Sequence, residues 1–389
     1  MRDISKAVWH WCCNNDMTDT DAERRVKKFD SVLLVSLHET PGARGSDYVS
    51  RAAVAQRIAT FLGCGFGGEA KRDAADTRRC YFVPDETLLH DDAAAFGIRS
   101  ADDLFGGVVP RAFVATKALT HGLVHASAAA PVGWSHALSE RLRDAVLEGY
   151  TAFSLDDART AVMRLLRGGS VRVKRVPGIG GTGQYVVRDR AAADTALATI
   201  GVEEISAYGV VVERNLEQTL TYSIGQLHVG DLTLGYVGTQ RTTPNHRGCE
   251  VYGGSDLRLL RGGFDGLRAA HLPALERAAF ERAYIYDATI SHEYPDAFAS
   301  RRNYDVIVGR DEHDAEHYGV LEQSWRFGGA SAAEVAALLA FQRDPRREEL
   351  QAATHEIHAD VEPPRGAELL FRGVDARLGP ITKYCMVAD

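Results

Sequence analysis

Between Val171 and Val187 the chain reads VRVKRVPGIGGTGQYVV, and no other stretch limits the fold so tightly. A short alternating strand places Val171, Val173 and Val176 among Arg172, Lys174 and Arg175. Glycines at 178, 180, 181 and 183 follow, and then a second β-branched run, Tyr185-Val186-Val187. Glycine lets successive backbone N–H groups turn toward one anion and approach it closely. Lys174, four residues ahead of the loop, brings a point charge. The stretch predicts a hairpin that covers a phosphate.

Three other readings compete for the same residues. Gly178, Gly180 and Gly183 match the G-x-G-x-x-G dinucleotide fingerprint, which needs a helix opening at the glycines. Here a strand-like run comes first, and helical patterning resumes only near Asp189. A phosphate loop of the Walker type fails because no Lys-Ser or Lys-Thr follows. A plain glycine-rich hairpin tip is the third option.

Lysine usage weighs against the plain tip. Of 45 basic residues only seven are lysines, at 6, 27, 28, 71, 117, 174 and 383. Between Lys71 and Lys383 only Lys117 and Lys174 remain. Where arginine is the habit, a retained lysine suits a compact ammonium against a phosphate.

The rest of the chain sets the frame. Its 389 residues suffice for two or three domains, and 45% apolar with 25% charged residues fits an ordinary globular protein. A net charge of −8 offers no footprint for nucleic acid. No apolar run reaches the roughly 18 residues of a membrane span, and the first residues lack the apolar core of a secretory signal. Six cysteines (12, 13, 64, 80, 249 and 385) show no C-x-x-C and no metal spacing, which fits reduced thiols in a cytoplasm.

In chain order, residues 1–30 read as a flexible tail. Residues 31–115 alternate strand and helix, with SVLLVSL as the first strand, the loop HETPGARG, and a helix from Ser46 stopping at Gly63. Trp134–Tyr150 is patterned as a helix, and Ser154 with Asp157 caps the next one. GVVVERNL forms a strand carrying Glu213, and two alternating strands turn at Gly230-Asp231. One long helix is expected from Phe264 to about Tyr286. Ser331 and Glu334 read as a capping box, and residues 344–389 as a covering arm.

A second hairpin carries acids. Tyr304–Val308 (YDVIV) and Gly319–Gln323 (GVLEQ) are strand-like, separated by GRDEHDAEHY. Pairing Val308 with Gly319 sets Asp305 opposite Glu322, with Ile307 and Val320 on the same face. Opposed carboxylates repel unless a cation lies between them, and oxygen ligands completed by phosphate suit Mg²⁺. Two solvated charges on an edge hairpin remain the alternative.

In this order the features resemble the ATP-grasp superfamily, over roughly residues 31–340. Lys117 matches its first lysine, Lys174 its second, and Gly178 to Gly183 its flap. Glu213 matches the adenine-side hinge, Asp305 the first metal carboxylate, and Glu322–Arg326 (EQSWR) the closing E-x-N-x-R, with Ser324 replacing the asparagine. The segments DDLFGGVVP, GTQR, YGGSD and LEQSWRFGGAS are also similar to a bacterial ATP-grasp-like family of unknown function, a likeness that implies no substrate.

The resemblance implies an α/β fold with a Rossmann-like unit at 31–115, a small subdomain at 116–205 and a large one at 206–343. It implies ATP and Mg²⁺, and a ligase that joins a small carboxylate to an amine or thiol through an acyl phosphate. Lys117, Lys174, Gly178, Gly180, Gly181 and Gly183 would hold the phosphates, and Glu213 the ribose or hinge. Asp305, Glu322 and Ser324 would face the metal; Arg302 and Arg326 would steady the transferring phosphoryl group. Lys174→Ala is expected to abolish nucleotide binding with the fold intact. Neither nucleic acid nor membrane is an expected partner, and a homodimer is one assembly open to the chain. The alternatives are a nucleotide-binding regulator or scaffold that has lost catalysis, which Ser324 keeps open, and an NAD(P)-linked oxidoreductase.

Overall fold

A computed structural model describes residues 28–37, 45–72, 78–177 and 183–388. Most of the expected tail and the HETPGARG loop, together with Gly178, Gly180 and Gly181, lie outside the described residues. Residues 28–30 are not tail: Phe29 is buried and meets the Tyr81 ring edge-on at 5.3 Å.

The first unit starts with β1 (Ser31–Val35), α1 (Ser46–Leu62), β2 (Gly65–Glu69) and β3 (Cys80–Pro84). These strands form a parallel sheet in the order β2-β1-β3. The helix ends at Gly63, whose φ of +69° only glycine takes without strain. β4 (Leu88–Leu89), α2 (His90–Ala95) and β5 (Gly107–Val109) follow, so β5 pairs with β4 in a separate small sheet.

Next come α3 (Leu138–Leu142), β6 (Gly149–Ala152), α4 (Leu155–Leu165), β7 (Val171–Arg175), β8 (Gln184–Val187), α5 (Arg190–Ile200), α6 (Val202–Tyr208) and β9 (Val210–Arg214). The helix expected over 134–150 is thus only five residues long. Its end becomes strand because Tyr150–Ala152 pairs with Val210–Val212, and tertiary pairing overrides local pattern. The Ser154 cap is present, its hydroxyl accepting from the Asp157 N–H at 3.1 Å. β7 pairs antiparallel with β8, so a strand, not a helix, follows the glycines. That excludes the dinucleotide fingerprint.

The large unit is built from β10 (Glu217–Val229), β11 (Leu232–Pro244), β12 (Glu250–Arg261), α7 (Gly263–Ala269), α8 (Ala274–Glu293), β13 (Phe298–Ala299), β14 (Arg301–Arg310), β15 (Glu316–Ser324) and α9 (Ser331–Arg343). The single helix expected from Phe264 splits in two at Pro273, which has no N–H to continue a helical ladder. Beyond α9, β16 (Glu349–Ile357), β17 (Glu368–Asp375) and β18 (Gly379–Val387) complete an eight-stranded sheet among the described residues, ordered β15-β14-β10-β11-β12-β16-β18-β17. Residues 344–389 are therefore not a covering arm. Leu350, Ala352, Leu370 and Cys385 are buried in the same core as α1 and α9.

Two cores sandwich this sheet. On one face α8 packs Phe280, Ala283, Tyr286 and Ile290 against Tyr304, Val306 and Val320. On the other, α9 and the first unit cover Leu234, Tyr236 and Leu257. Strand alternation then sorts β14: Arg302, Tyr304 and Val306 face α8, while Arg301, Asn303 and Asp305 face α9.

Candidate active site

The acidic hairpin forms with one adjustment. Asp305 lies opposite Glu322 as expected, but Val308 pairs with Tyr318 and Ile307 with Gly319. Val320 therefore pairs with Val306 and is buried on the α8 face, away from Ile307's side. Leu321 is the extra residue, a bulge between Val306 and Asp305 that restores the acid pair after the ladder has shifted by one. Thr120 Oγ1 donates to the bulged Leu321 carbonyl at 3.4 Å, which binds this strand to the turn carrying Lys117.

Around the pair, donors are unevenly distributed. Asp305 Oδ1 accepts from Gln240 Nε2 at 2.7 Å and from Asn303 Nδ2 at 2.9 Å. Its Oδ2 has no donor among the described residues. Glu322 Oε2 meets Lys117 Nζ at 2.8 Å, and Lys117 is almost fully buried. Burial first, and then the charge of Glu322, push the Asp305 carboxyl up to about 6 despite the two amides. This pair is short of positive charge, the condition a divalent cation would relieve. Among the described residues no three or more His, Cys, Asp or Glu side chains converge as a metal site. Two carboxylates are the kind of oxygen ligand Mg²⁺ takes, with water and phosphate oxygens completing its shell.

A second buried cluster adjoins the first through the 3-10 turn Lys117–Thr120 and its cap His121. Lys174 Nζ lies 2.6 Å from Glu213 Oε1, and His121 Nε2 lies 3.1 Å from Glu213 Oε2. All three side chains are at most 4% exposed. Burial alone would raise the Glu213 carboxyl, but Lys174 and the His121 hydrogen bond outweigh it and hold the acid at about 2. With both oxygens engaged, Glu213 is not open to a ribose hydroxyl as expected; it fixes Lys174. Removing Lys174 would strand a buried carboxylate, which weighs against the expectation that Lys174→Ala spares the fold.

The two arginines expected at the transferring group part company. Arg302 faces α8, where Nη1 bonds both Asp287 oxygens at 3.1 Å, on the sheet face opposite Asp305. Arg326 pairs with Glu86 beyond β3 at 3.3 Å and keeps its side chain 28% exposed. Ser324 stands across from Asn303, and its carbonyl accepts from Arg301 Nη1 at 3.1 Å. Gly183 is described, at φ +71° against the Arg175 side chain.

Glu334 is no cap. The helix N-cap is Ala330, and Glu334 is fully buried with its carboxylate held by Arg301 at 2.7 and 2.8 Å. Sequence reading also missed Arg301, Asn303, Tyr236 and Gln240. A signal for two of them was there: counting back by twos from Asp305 gives Asn303 and then Arg301. Glu334 is the lone acid in the apolar run SAAEVAALLAF, where a charge must find a partner.

A large antiparallel sheet beside a small parallel unit, with two buried lysines and a facing acid pair, defines an α/β protein of ATP-grasp fold. Solved structures agree at low identity. Biotin carboxylase from Campylobacter jejuni, solved as a β-γ-ATP complex, matches with a TM-score of 0.53 and 10% identity, covering 93% of this chain and 88% of that one. The biotin carboxylase domain of Hydrogenobacter thermophilus 2-oxoglutarate carboxylase, solved as a dimer with MgADP, ADP and bicarbonate, matches at 0.51 and 12%, covering 93% and 86%. The N5-carboxyaminoimidazole synthetase of Staphylococcus aureus, solved with ADP, matches at 0.50 and 11%, covering 93% and 94%. No curated protein matches the sequence. Residues 34–385 match the family described as "Protein of unknown function (DUF3182)", and the chain belongs to that family.

Proposed function

We propose that the protein is a Mg-ATP-dependent ligase that activates a small carboxylate as an acyl phosphate and transfers it to an amine or thiol. The observation that carries this is the facing pair Asp305 and Glu322 beside buried Lys117, on an ATP-grasp fold. The three solved relatives named above were each captured with an adenine nucleotide.

Asp305 and Glu322 would hold Mg²⁺, and the Ser324 hydroxyl would stand where the resemblance expects an amide ligand. The ion would neutralise charge on the phosphate oxygens. Phosphoryl transfer needs positioning and charge neutralisation more than covalent help, which suits this donor set. Lys117 and Lys174 would meet the phosphates. Glu213 and His121 keep the Lys174 ammonium aimed from a dry pocket. Gly178, Gly180, Gly181 and Gly183 remain the proposed phosphate cover. Arg326, unlike Arg302, is the arginine that would meet a substrate oxygen, released from Glu86.

Calorimetric titration with MgATP tests binding. ADP release stimulated by a carboxylate together with an amine tests catalysis. One observation favours the second reading, a nucleotide-binding regulator: Ser324 supplies a hydroxyl where the resemblance expects an amide. MgATP binding without stimulated ADP release from any acid and amine pair would favour that reading.

A further inference from the structure

The α9 face of the large sheet carries a polar chain that ends on Asp305. Glu334 Oε1 accepts from Arg301 Nη2 at 2.8 Å and lies 2.7 Å from the Tyr236 hydroxyl. The same hydroxyl is 2.8 Å from Asn303 Oδ1, to which Ser223 Oγ also donates at 3.1 Å. Asn303 Nδ2 then donates to Asp305 Oδ1 at 2.9 Å. Tyr236, Arg301 and Glu334 are at most 1% exposed, and Asn303 is 7% exposed.

From this chain we infer that Tyr236 and Glu334 are positioning residues for the cation side of the site, a role that rests on the nucleotide reading above. They touch neither substrate nor metal. Their action passes through Asn303, an amide that has two faces to satisfy. Tyr236 and Ser223 engage its oxygen, which leaves its N–H₂ pointed at Asp305. Without them the amide is freer to rotate, and Asp305 Oδ1 keeps Gln240 but loses the second amide donor that helps fix which oxygen turns to the cation.

The arrangement has further physical support. A phenol has one proton, and Tyr236 lies between two oxygen acceptors, so it locks both strands to α9 only while Glu334 and Asn303 keep these positions. Burial and then the Glu334 charge push the Tyr236 hydroxyl well above its ordinary range, so it stays a donor at every working pH. Burial disfavours the Arg301 charge, yet Glu334 outweighs this and raises its pKa, so the guanidinium remains charged. An ion pair this deep contributes little net stability against apolar residues of like volume, and fixing a register or a site is its better-attested use. Partners behind a metal ligand typically change metal affinity about 10–100-fold when lost.

The test separates cation from nucleotide. Affinity for ADP is measured in EDTA, and affinity for Mn²⁺ is then measured by electron paramagnetic resonance with ADP saturating. Tyr236→Phe keeps the ring and removes one hydroxyl; Glu334→Gln keeps the shape and removes the charge. Tyr236→Phe should weaken Mn²⁺ about tenfold or more while metal-free ADP affinity and the melting midpoint stay near wild type. Glu334→Gln should weaken Mn²⁺ at least as much. If wild type takes Mn²⁺ with ADP and a folded Tyr236→Phe matches it, the inference alone is overturned. If wild type takes neither ADP nor Mn²⁺, the nucleotide reading falls and this role falls with it.

Discussion

Lys117 Nζ lies 2.8 Å from Glu322 Oε2, so the lysine proposed for phosphate and the acid proposed for the metal are each other's partner before any ligand arrives. The ammonium offsets the charge of a half-buried acid and is itself almost fully buried. A phosphate and a cation entering together would part the pair and give each member a stronger partner. Lys117→Met removes the ammonium at similar length. We expect MgATP affinity to fall at least tenfold, read by calorimetry. Unchanged affinity would take Lys117 out of the phosphate site.

Lys174 is a larger structural risk. Replacing it with alanine leaves Glu213 charged, buried and held by His121 alone. Breaking a buried pair in this way costs about 3–5 kcal/mol. Urea unfolding of Lys174→Ala should show that loss, and the double variant Lys174→Met with Glu213→Gln should recover much of it. A Lys174→Ala protein as stable as wild type would mean that water reaches Glu213.

The same pair predicts an acid limb of stability. The Glu213 carboxyl sits at about 2 in the fold against 4.5 for the free group. A depressed acid stabilises the folded state fully above its unfolded value, and that stabilisation drains away as pH falls from about 4.5 toward 2. Urea midpoints measured across that window should fall less steeply in Glu213→Gln than in wild type. Parallel slopes would show that Glu213 does not titrate as a paired acid.

Gly149 tests the histidine that steadies this cluster. A Cβ there would lie 2.6–2.8 Å from three atoms of the His121 ring, which is stiff and buried. Gly149→Ala must push the imidazole off Glu213 or move β6. Overpacking of this kind typically costs about 1–3 kcal/mol. A lowered melting midpoint together with weaker MgATP binding is the expected result; a neutral alanine would show that the His121 contact is slack.

How much was legible in the sequence follows from the range of each signal. The lysine hairpin, the Asp305 and Glu322 pairing, the Ser154 cap, the stop at Gly63 and the turn at Gly230-Asp231 depend on residues near in sequence or on a two-residue period. Such features are written in local order. Ladder details were not: Leu321 adds a residue that no alternation shows, and the acid pair survived because the bulge and the shifted pairing cancel.

The rest was decided by contacts across long separations. Glu334 was taken as a cap from its spacing to Ser331, but its carboxylate is satisfied by Arg301, thirty-three residues away, because a buried charge must take whatever partner the packed sheet presents. Arg302 was preferred over Arg301 although one step along a strand reverses the face. Glu213 was given to a nucleotide, and the fold gave it to Lys174 and His121. Residues 344–389 resembled an arm because their charges and prolines break any local pattern, and they became strands because β16 pairs with the β12 edge and β18 and β17 then extend the sheet. Local order was enough for the lysine hairpin and the acid pair. Tertiary structure alone chose which arginine faces the acids, what holds Lys174, and the buried chain from Glu334 to Asp305, because burial forces each polar group to find its partner in space.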